Sequence, residues 1–188
     1  FAAGESILIR GASGGIGVMA VQLAARRGGP TVAVTTSSVE RGERLRGLGA
    51  THVLDRHGES DGDAPADFDV IVDIVAGPDL PSFFSKLRPN GRMVVVGAVG
   101  GRPPVDFGAE LFKAFQKSLR FGTFSAATVS ASARLAATAE LFAAAGRGEL
   151  QAVVSGLIPL EEAALAHRKM EAGEVFGRIV LTVRPPLE

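Results

Sequence analysis

A glycine-rich run between an apolar segment and an amphipathic segment is the feature that most constrains what this chain can fold into. Residues 6–10 (SILIR) are typical of a buried strand, and the run Gly11–Gly17 (GASGGIG) follows at once. Apolar side chains then recur at helical spacing until Gly28-Gly29-Pro30 ends the pattern. A strand, a glycine turn and a helix in this order place bare backbone amides at a helix amino terminus, which is where a pyrophosphate binds. The sequence therefore predicts a dinucleotide-binding turn.

The first 130 residues repeat this alternation of β-branched runs with amphipathic segments. We predict further strands at residues 31–36, 51–55, 69–75, 92–99 and 118–124. We predict helices at residues 15–27, 39–48, 81–88 and 109–117, and a loop at the polar residues 56–68. The fourth and fifth strands barely alternate, so we expect both of their faces to be buried. The predicted class is α/β, a Rossmann-type doubly wound parallel sheet of six strands in the order 3-2-1-4-5-6.

The pattern changes after residue 130. We predict a helix at residues 131–145, a strand at 152–158, a helix at 161–171 and a strand at 178–183. We therefore divide the chain into a dinucleotide-binding domain at 1–130 and a helix-strand-helix-strand extension at 131–188. The first residue is Phe1 and the last two, Leu187-Glu188, are typical of a vector-derived tail. These ends indicate a piece of a longer protein.

Charge and composition argue against several kinds of partner. Twenty basic residues balance twenty acidic ones, so net charge favours neither nucleic acid nor an anionic membrane. No run approaches the roughly 18 apolar residues of a membrane span. The chain has no cysteine, which fits the reducing cytoplasm and removes thiolate ligands. Because His52, His57 and His167 are scattered, the sequence predicts no metal site.

Three families share a glycine run of this kind, and two of them conflict with other residues. Short-chain dehydrogenases have a similar run, but their chemistry uses a tyrosine and this chain has none. Methyltransferases place an acid at the end of the second strand, where this chain has Thr35-Thr36-Ser37-Ser38. The third interpretation is the spacing Ala12-x-Gly14-Gly15-x-Gly17, and the remaining segments support it.

Five segments resemble the cofactor half of the medium-chain dehydrogenase/reductases, in the order in which that family has them. They are GESILIRGASGGIGVMAVQLAARRG, LRGLGATHVLD, FDVIVDIVAG, LRPNGRMVVVG and IPLEEAALAHRKMEAGEVFGRIVLTV. The resemblance covers nearly the whole chain and is strongest to the zinc-independent quinone oxidoreductase branch. Full-length members carry a GroES-like substrate domain before this segment. The resemblance therefore implies that a small-molecule substrate binds with the help of a domain outside this chain, to which residues 131–188 lead back.

The resemblance also implies which residues bind NADP(H). The candidate positions are Ser13, Gly14, Gly15, Ile16, Ser37, Ser38, Arg41, Arg56, Gly97, Ala98, Phe124 and Arg178. The first four match the pyrophosphate loop. Ser38-x-x-Arg41 resembles a Ser/Thr-x-x-Lys motif that binds the adenosine 2′-phosphate, and arginine can meet a phosphate with paired hydrogen bonds. Residues 35–38 contain no acid to repel that phosphate, which favours NADPH over NADH.

The other candidates belong to the remaining parts of the cofactor. Gly97 and Ala98 match backbone that meets the nicotinamide, and Phe124 lies just beyond. Arg56 stands where relatives often have a tyrosine near the adenine. Arg178 matches a basic position that can approach the pyrophosphate, and its alternative is a solvated arginine at a sheet edge. For the arginines of the second helix, the alternative is solvated pairing with neighbouring glutamates.

The implied activity is transfer of hydride from NADPH to a quinone or an activated carbon–carbon double bond, with no catalytic side chain in this segment. Two other functions stay open. One is a non-catalytic NADP-binding regulatory module, and the other is an enoyl-reductase segment of a multi-enzyme synthase. Relatives pair their sixth strands across a two-fold axis, so we also expect a homodimer. Apolar cover for that edge would come from Phe112, Phe115, Leu119, Phe121 and Phe124, whose alternative is a place in the core.

Overall fold

A parallel sheet of six strands organises the first two thirds of the chain. The structure is a computed structural model that describes residues 1–60 and 62–183. The strands are β1 (Ser6–Arg10), β2 (Thr31–Thr35), β3 (His52–Leu54), β4 (Phe68–Asp73), β5 (Leu87–Val95) and β6 (Arg120–Thr123). Their order is β3-β2-β1-β4-β5-β6, and every neighbouring pair is parallel. The predicted fold class and strand order are confirmed.

Five α-helices and a second, smaller sheet complete the described structure. The helices are α1 (Gly15–Arg26), α2 (Val39–Gly47), α3 (Gly108–Lys113), α4 (Ala131–Gly146) and α5 (Ala163–Glu171). Strands β7 (Val154–Pro159) and β8 (Arg178–Thr182) pair in parallel as a two-stranded sheet. The predicted helix-strand-helix-strand order of the carboxyl-terminal region is therefore confirmed. Residues 184–188, with the proposed tail Leu187-Glu188, lie outside the described residues.

The link between β4 and β5 differs from the prediction of a helix at 81–88. It contains only a short 3₁₀ helix at Leu80–Phe84, after which β5 begins at Leu87. The predicted turn at Pro89-Asn90-Gly91 is instead an irregularity within β5, because the register moves from Phe68–Leu87 to Val70–Arg92. Asn90 has a φ of 64°, so the chain bulges there and then resumes its pairing. Turn-forming residues thus interrupt a strand without ending it.

Two other boundaries are wrong in the prediction. β5 ends at Val95, and residues 96–98 continue as irregular chain. The predicted helix at 109–117 is α3 followed by a separate 3₁₀ turn at Phe115–Lys117, and Ser118 closes it with a φ of 53°. β5 is also less enclosed than expected, since Val94 and Val95 are only half-buried. It neighbours the edge strand β6, where less of the chain is available to cover it.

The core lies on both faces of the sheet and follows the alternation of side chains along each strand. Ile7 and Ile9 belong to the cluster under α1 and α2, whereas Leu8 between them packs on the opposite cluster with Phe83 and Phe84. All five residues of β1 are buried. Burial on two faces explains why this strand is an unbroken apolar run apart from its two ends.

A buried ion pair joins the two central strands where they end. Arg10 at the end of β1 donates from Nη1 to Asp73 Oδ2 at the end of β4 over 2.7 Å, and the two side chains are 3% and 0% exposed. The second oxygen of Asp73 accepts from the backbone N–H groups of Val75 and Ala76. The guanidinium of Arg10 also lies 3.9 Å from the ring centroid of Phe83. The ends of β1 and β4 are therefore held together beside the loops that follow them.

Candidate functional site

The glycine run forms the connection from β1 to α1 at the carboxyl edge of the sheet. Gly14 occupies the amino-terminal cap of α1 in an extended conformation, with φ −81° and ψ 171°, and supplies no side-chain cap. By contrast, the serine hydroxyls of Ser38 and Ser130 cap α2 and α4. The first amides of α1 therefore have no capping side chain, and they lie at the end of the helix dipole that favours an anion.

Glycine is required at Gly17 because the helix approaches the preceding loop too closely for a side chain. A Cβ atom at Gly17 would lie 2.5 Å from both the Cα and the carbonyl oxygen of Ala12. Gly11 has a φ of +76°, which also favours glycine. These two glycines define the turn, and they match the roles in tight turning and close packing that the dinucleotide-binding pattern requires.

The segment before β8 crosses the glycine run. The N–H of Gly177 donates to the carbonyl oxygen of Ser13 over 2.8 Å, and Gly14 and Gly177 form an isolated parallel bridge. The side chain of Arg178 lies against Gly15, where an added Cβ would meet its Cγ and Nε at 2.7 Å. The structure thus brings Arg178 beside the candidate pyrophosphate residues Ser13, Gly14, Gly15 and Ile16, although more than 160 residues separate them in the sequence.

The ends of β2 and β3 border an open cavity of about 840 Å³. Ser37, Ser38 and Arg56 line it, and their role at the adenosine end of the cofactor stays a prediction. The hydroxyl of Ser38 accepts from the backbone N–H of Arg41 at 3.3 Å, which fixes the start of α2 at the cavity wall. Arg46 also lines the cavity. Sequence reasoning missed this residue. The available signal was a positive charge in the last turn of α2, just before β3.

Asp55 lies at the same cavity, just after β3, and organises the loop that carries Arg56. One carboxylate oxygen accepts from the backbone N–H groups of His57 and Glu59, at 2.8 and 2.9 Å. The N–H of Glu59 is the main cause that lowers the pKa of Asp55, and the N–H of His57 adds to it. Asp55 therefore stays ionised at neutral pH and uses its charge within the loop.

Two of the three arginines of α2 contact the carboxyl-terminal region. Arg41 donates from Nη2 to the carbonyl oxygen of Gly173. The guanidinium carbon of Arg44 lies 3.8 Å from the ring centroid of Phe176. Solvated pairing with neighbouring glutamates is therefore not the arrangement that these two side chains adopt, since the one such pair described on α2 joins Arg46 to Glu43. The role of Arg41 in binding a phosphate stays a prediction.

The candidate nicotinamide residues follow β5 and β6 at the same edge of the sheet. Gly97 passes so close to the loop after β4 that an added Cβ would lie 2.8 Å from the carbonyl oxygen of Ile74. The N–H of Phe124 donates to the carbonyl oxygen of Val95, and its ring is 52% exposed. Sequence reasoning missed the loop after β4, where Ala76 has a φ of 53° and Ile74 lies next to both Gly11 and Gly97. The pair Ala76-Gly77 directly after a buried strand was the signal for it.

The described residues contain neither a metal-binding cluster nor a helix that could span a membrane. Across residues 1–60 and 62–183, no group of three or more histidine, aspartate or glutamate side chains is placed to hold a metal ion. In the same ranges, no helix combines the length and the apolar character that crossing a membrane requires.

Comparison with known families identifies the kind of chain that carries this site. The sequence profile of a family described as zinc-binding dehydrogenase matches residues 48–181, which is more than half of the chain. The chain belongs to this family. This result confirms the medium-chain dehydrogenase/reductase superfamily that the sequence predicts. The quinone oxidoreductase relatives support the predicted branch of that superfamily.

Individual relatives differ in their reactions and in their length. The chain is 31% identical to acryloyl-coenzyme A reductase of Metallosphaera sedula and 30% identical to quinone oxidoreductase of Mus musculus, in both cases over 95% of its length. These alignments cover 51% and 55% of the two relatives, so the chain spans about half of their length. The chain is also 29% identical to a spectinabilin polyketide synthase protein of Streptomyces orinoci. That alignment covers 97% of this chain and 8% of the synthase protein.

A solved structure shows the same fold. A mycobacterial protein complexed with NADPH superposes with a TM-score of 0.83 at 24% identity, over 96% of this chain and 57% of that one. At this identity the likeness concerns the path of the backbone, and it agrees with the six-strand topology described above.

The close approach at Gly17 generates a prediction about stability and binding. Gly17→Ala places a methyl group against the backbone of Ala12, so we expect it to lower the free energy of unfolding by about 1–3 kcal/mol and to weaken dinucleotide binding. Gly47→Ala is the matched control, because nothing lies within 4 Å of its added Cβ, and we expect a gain of at most about 1 kcal/mol. Urea unfolding of both variants checks this. Equal stability of Gly17→Ala and wild type would contradict the proposed contact.

Proposed function

We propose that this chain is the NADP(H)-binding half of an oxidoreductase that transfers hydride from NADPH to a quinone or an activated carbon–carbon double bond. One observation carries the proposal. The amino end of α1 has no capping side chain, faces the carboxyl edge of the sheet and has Arg178 beside it. In doubly wound sheets this edge, where the strand order reverses between β1 and β4, is where a dinucleotide binds.

The pyrophosphate would lie on the glycine run. The backbone of Ser13, Gly14, Gly15 and Ile16 would supply donors, and Arg178 would add a positive charge from the opposite side. Arg178 lies where a side chain at Gly15 would begin, so glycine at this position lets the cation sit next to the amino end of α1. We keep the division of the chain at residue 130, with the extension 131–188 contributing Arg178 to the cofactor site of domain 1–130.

The adenosine and its 2′-phosphate would bind at the cavity beside β2 and β3. Ser37 and Ser38 offer hydroxyls there, and Arg56 and Arg46 offer positive charge. Arg41 lies in the first turn of α2, and its guanidinium would exchange the carbonyl of Gly173 for the phosphate. Because a charged phosphate accepts stronger hydrogen bonds than a carbonyl, that exchange is favourable.

The nicotinamide would lie at the ends of β5 and β6, against Gly97, Ala98 and Phe124. NADPH supplies the hydride, and the chain supplies backbone and an apolar ring that hold the nicotinamide in place. This segment contributes no acid or base to the reaction, and the substrate would bind between this edge and a domain outside the chain. The proposed reaction uses no zinc, in keeping with the zinc-independent branch that the sequence resembles.

Two alternatives differ in what the whole protein does with the cofactor. An enoyl-reductase segment of a multi-enzyme synthase is favoured by the match to a short part of a polyketide synthase protein. A regulatory module would bind NADP(H) without turnover. The acryloyl-coenzyme A reductase and quinone oxidoreductase relatives favour a protein that reduces a substrate over a regulatory module without turnover.

The proposed division of labour predicts that these 188 residues bind NADPH and do not oxidise it. We expect a measurable NADPH affinity together with no steady oxidation when simple quinones or enones are added, because the second wall of the substrate site is missing. Absorbance of NADPH follows the reaction, with heat-killed protein as control. The full-length protein should reduce at least one member of the same panel. Steady turnover by the 188-residue chain would contradict this division, and a full-length protein that binds NADPH without turnover would favour the regulatory module.

The adenosine site predicts a preference for NADPH over NADH that depends on Arg41. We expect Arg41→Ala to weaken NADPH binding by about 1.5 kcal/mol, the lower end of the range for bonds to charged groups, because wild-type Arg41 gives up Gly173 to bind the phosphate. Binding of NADH should be unchanged. Arg134→Ala, an exposed arginine of α4, is the control. Calorimetric titration of both cofactors decides the matter, and equal losses for the two would mean that Arg41 does not contact the 2′-phosphate.

We also propose a homodimer through β6, which is an edge strand of the sheet. Phe121 belongs to the core, since its ring lies 5.4 Å from those of Phe84 and Phe107. Phe112 and Phe115, in the segment before β6, are 76% and 69% exposed. Exposed apolar rings near a sheet edge support pairing with a second copy there.

The dimer is testable by mass in solution. We expect a dimer by small-angle scattering at tens of micromolar protein, and a monomer for the double variant Phe112→Asp, Phe115→Asp. Phe142→Asp is the matched control, because Phe142 is equally exposed at 74% but lies on α4. A monomeric wild type would exclude the proposed interface at these concentrations.

A further inference from the structure

The segment 173–178, which we call the strap, connects α5 to β8 and passes over the glycine run. Gly173 and Gly177 have φ values of 69° and 82°, so the chain turns at both ends of the strap. Gly177 donates to Ser13, and the N–H of Arg178 donates to the carbonyl oxygen of Val153 over 3.0 Å. The strap therefore determines where the side chain of Arg178 begins.

The strap is fastened to α2 at two points. Arg41 donates to the carbonyl of Gly173 at one end, and Arg44 stacks on the ring of Phe176 near the other, with 3.8 Å between guanidinium carbon and ring centroid. Phe176 is only 3% exposed and belongs to the core cluster under α1 and α2. Arg44 covers the ring from the solvent side and attracts it through its quadrupole. The ring is thus held between the core and a cation.

A bound cofactor would affect the Arg41–Gly173 hydrogen bond and the Arg44–Phe176 contact differently. The carbonyl of Gly173 is a neutral acceptor, which a 2′-phosphate can replace on Arg41. Phe176 is an apolar ring, and we expect its contact with Arg44 to remain when the phosphate binds to Arg41. The next residue after Phe176 is Gly177, which bonds to Ser13, and the one after that is Arg178, which lies over Gly15. Arg44 is therefore coupled to the pyrophosphate end of the site and not to the phosphate of the adenosine.

We propose that Arg44 is a positioning residue for the pyrophosphate of the cofactor: by stacking on Phe176 it holds the strap so that Arg178 lies over Gly15. This inference rests on the proposed function, because it takes the glycine run as the pyrophosphate site. Arg44 itself contacts no part of the cofactor. It acts through Phe176, Gly177 and Arg178.

The test compares three ligands that differ in the groups they present. NADP⁺ carries both a pyrophosphate and a 2′-phosphate, NAD⁺ carries only the pyrophosphate, and 2′-AMP carries only the 2′-phosphate. Their dissociation constants are measured by calorimetry for wild type, Arg44→Ala, Arg178→Ala, the double variant and the control Arg134→Ala. All titrations are run well below the melting temperature of each variant, so that a loss of stability does not appear as a loss of affinity.

We expect Arg44→Ala to weaken NADP⁺ and NAD⁺ by the same factor, about three- to tenfold, and to leave 2′-AMP unchanged. Arg178→Ala should show the same pattern. The double variant should bind no more weakly than Arg178→Ala, because Arg44 acts through Arg178. Arg44→Lys should recover part of the affinity, since it keeps a cation over the ring. Phe176→Leu keeps an apolar side chain in the core and should behave as Arg44→Ala does.

The outcomes separate this inference from the proposed function. If Arg178→Ala leaves both dinucleotides unaffected, the pyrophosphate site itself is misplaced and the proposed function loses its main support. If Arg178→Ala weakens them but Arg44→Ala does not, or if the losses of the two variants add, the role of Arg44 is overturned and the site stands. Equal weakening of 2′-AMP by Arg44→Ala would also overturn it, by placing Arg44 at the adenosine.

Discussion

The ion pair between Arg10 and Asp73 is the interaction on which the rest of the carboxyl edge depends. Both side chains are buried, so each would carry a large desolvation cost alone, and leaving one unpaired in such pairs costs about 3–5 kcal/mol. The pair joins β1 to β4 where the strand order reverses. The glycine run starts one residue after Arg10, and the loop that faces it starts one residue after Asp73. A fixed spacing between these two strands therefore fixes the crevice in which a dinucleotide would bind.

The candidate site is assembled from segments that are distant in the sequence. The glycine run supplies uncapped amides, and the ends of β2 and β3 supply hydroxyls and arginines. The chain after β5 and β6 supplies the backbone of Gly97 and the ring of Phe124. The strap closes this arrangement from the carboxyl-terminal region through Gly177 and Arg178. Family membership and the half-length match to reductases are consistent with a module that holds a cofactor and presents it to another domain.

Local signals in the sequence account for most of the fold. Apolar runs located β1 and β2 to within a residue and β4 to within two, and glycine between the first strand and helix located the dinucleotide turn. The errors concern places where local preference and tertiary pairing disagree. Residues 89–91 have turn-forming character, yet pairing of β5 with β4 carries the strand through them as a bulge. The segment 81–88 is predicted as a helix, but a 3₁₀ helix ends at Phe84 and pairing with β4 takes residues from Leu87 onward into β5.

What the sequence by itself determined is therefore the alternation of strands and helices, the strand order that follows from it, and the glycine turn, because these depend on neighbours within a few residues. Only the tertiary structure decided the partners of long polar side chains. Arg41, Arg44 and Arg178 look alike in the sequence, yet one meets a carbonyl, one a ring and one the glycine run. The physical reason is that such side chains reach several ångströms and have many rotamers, so their contacts depend on which distant segment the fold brings beside them.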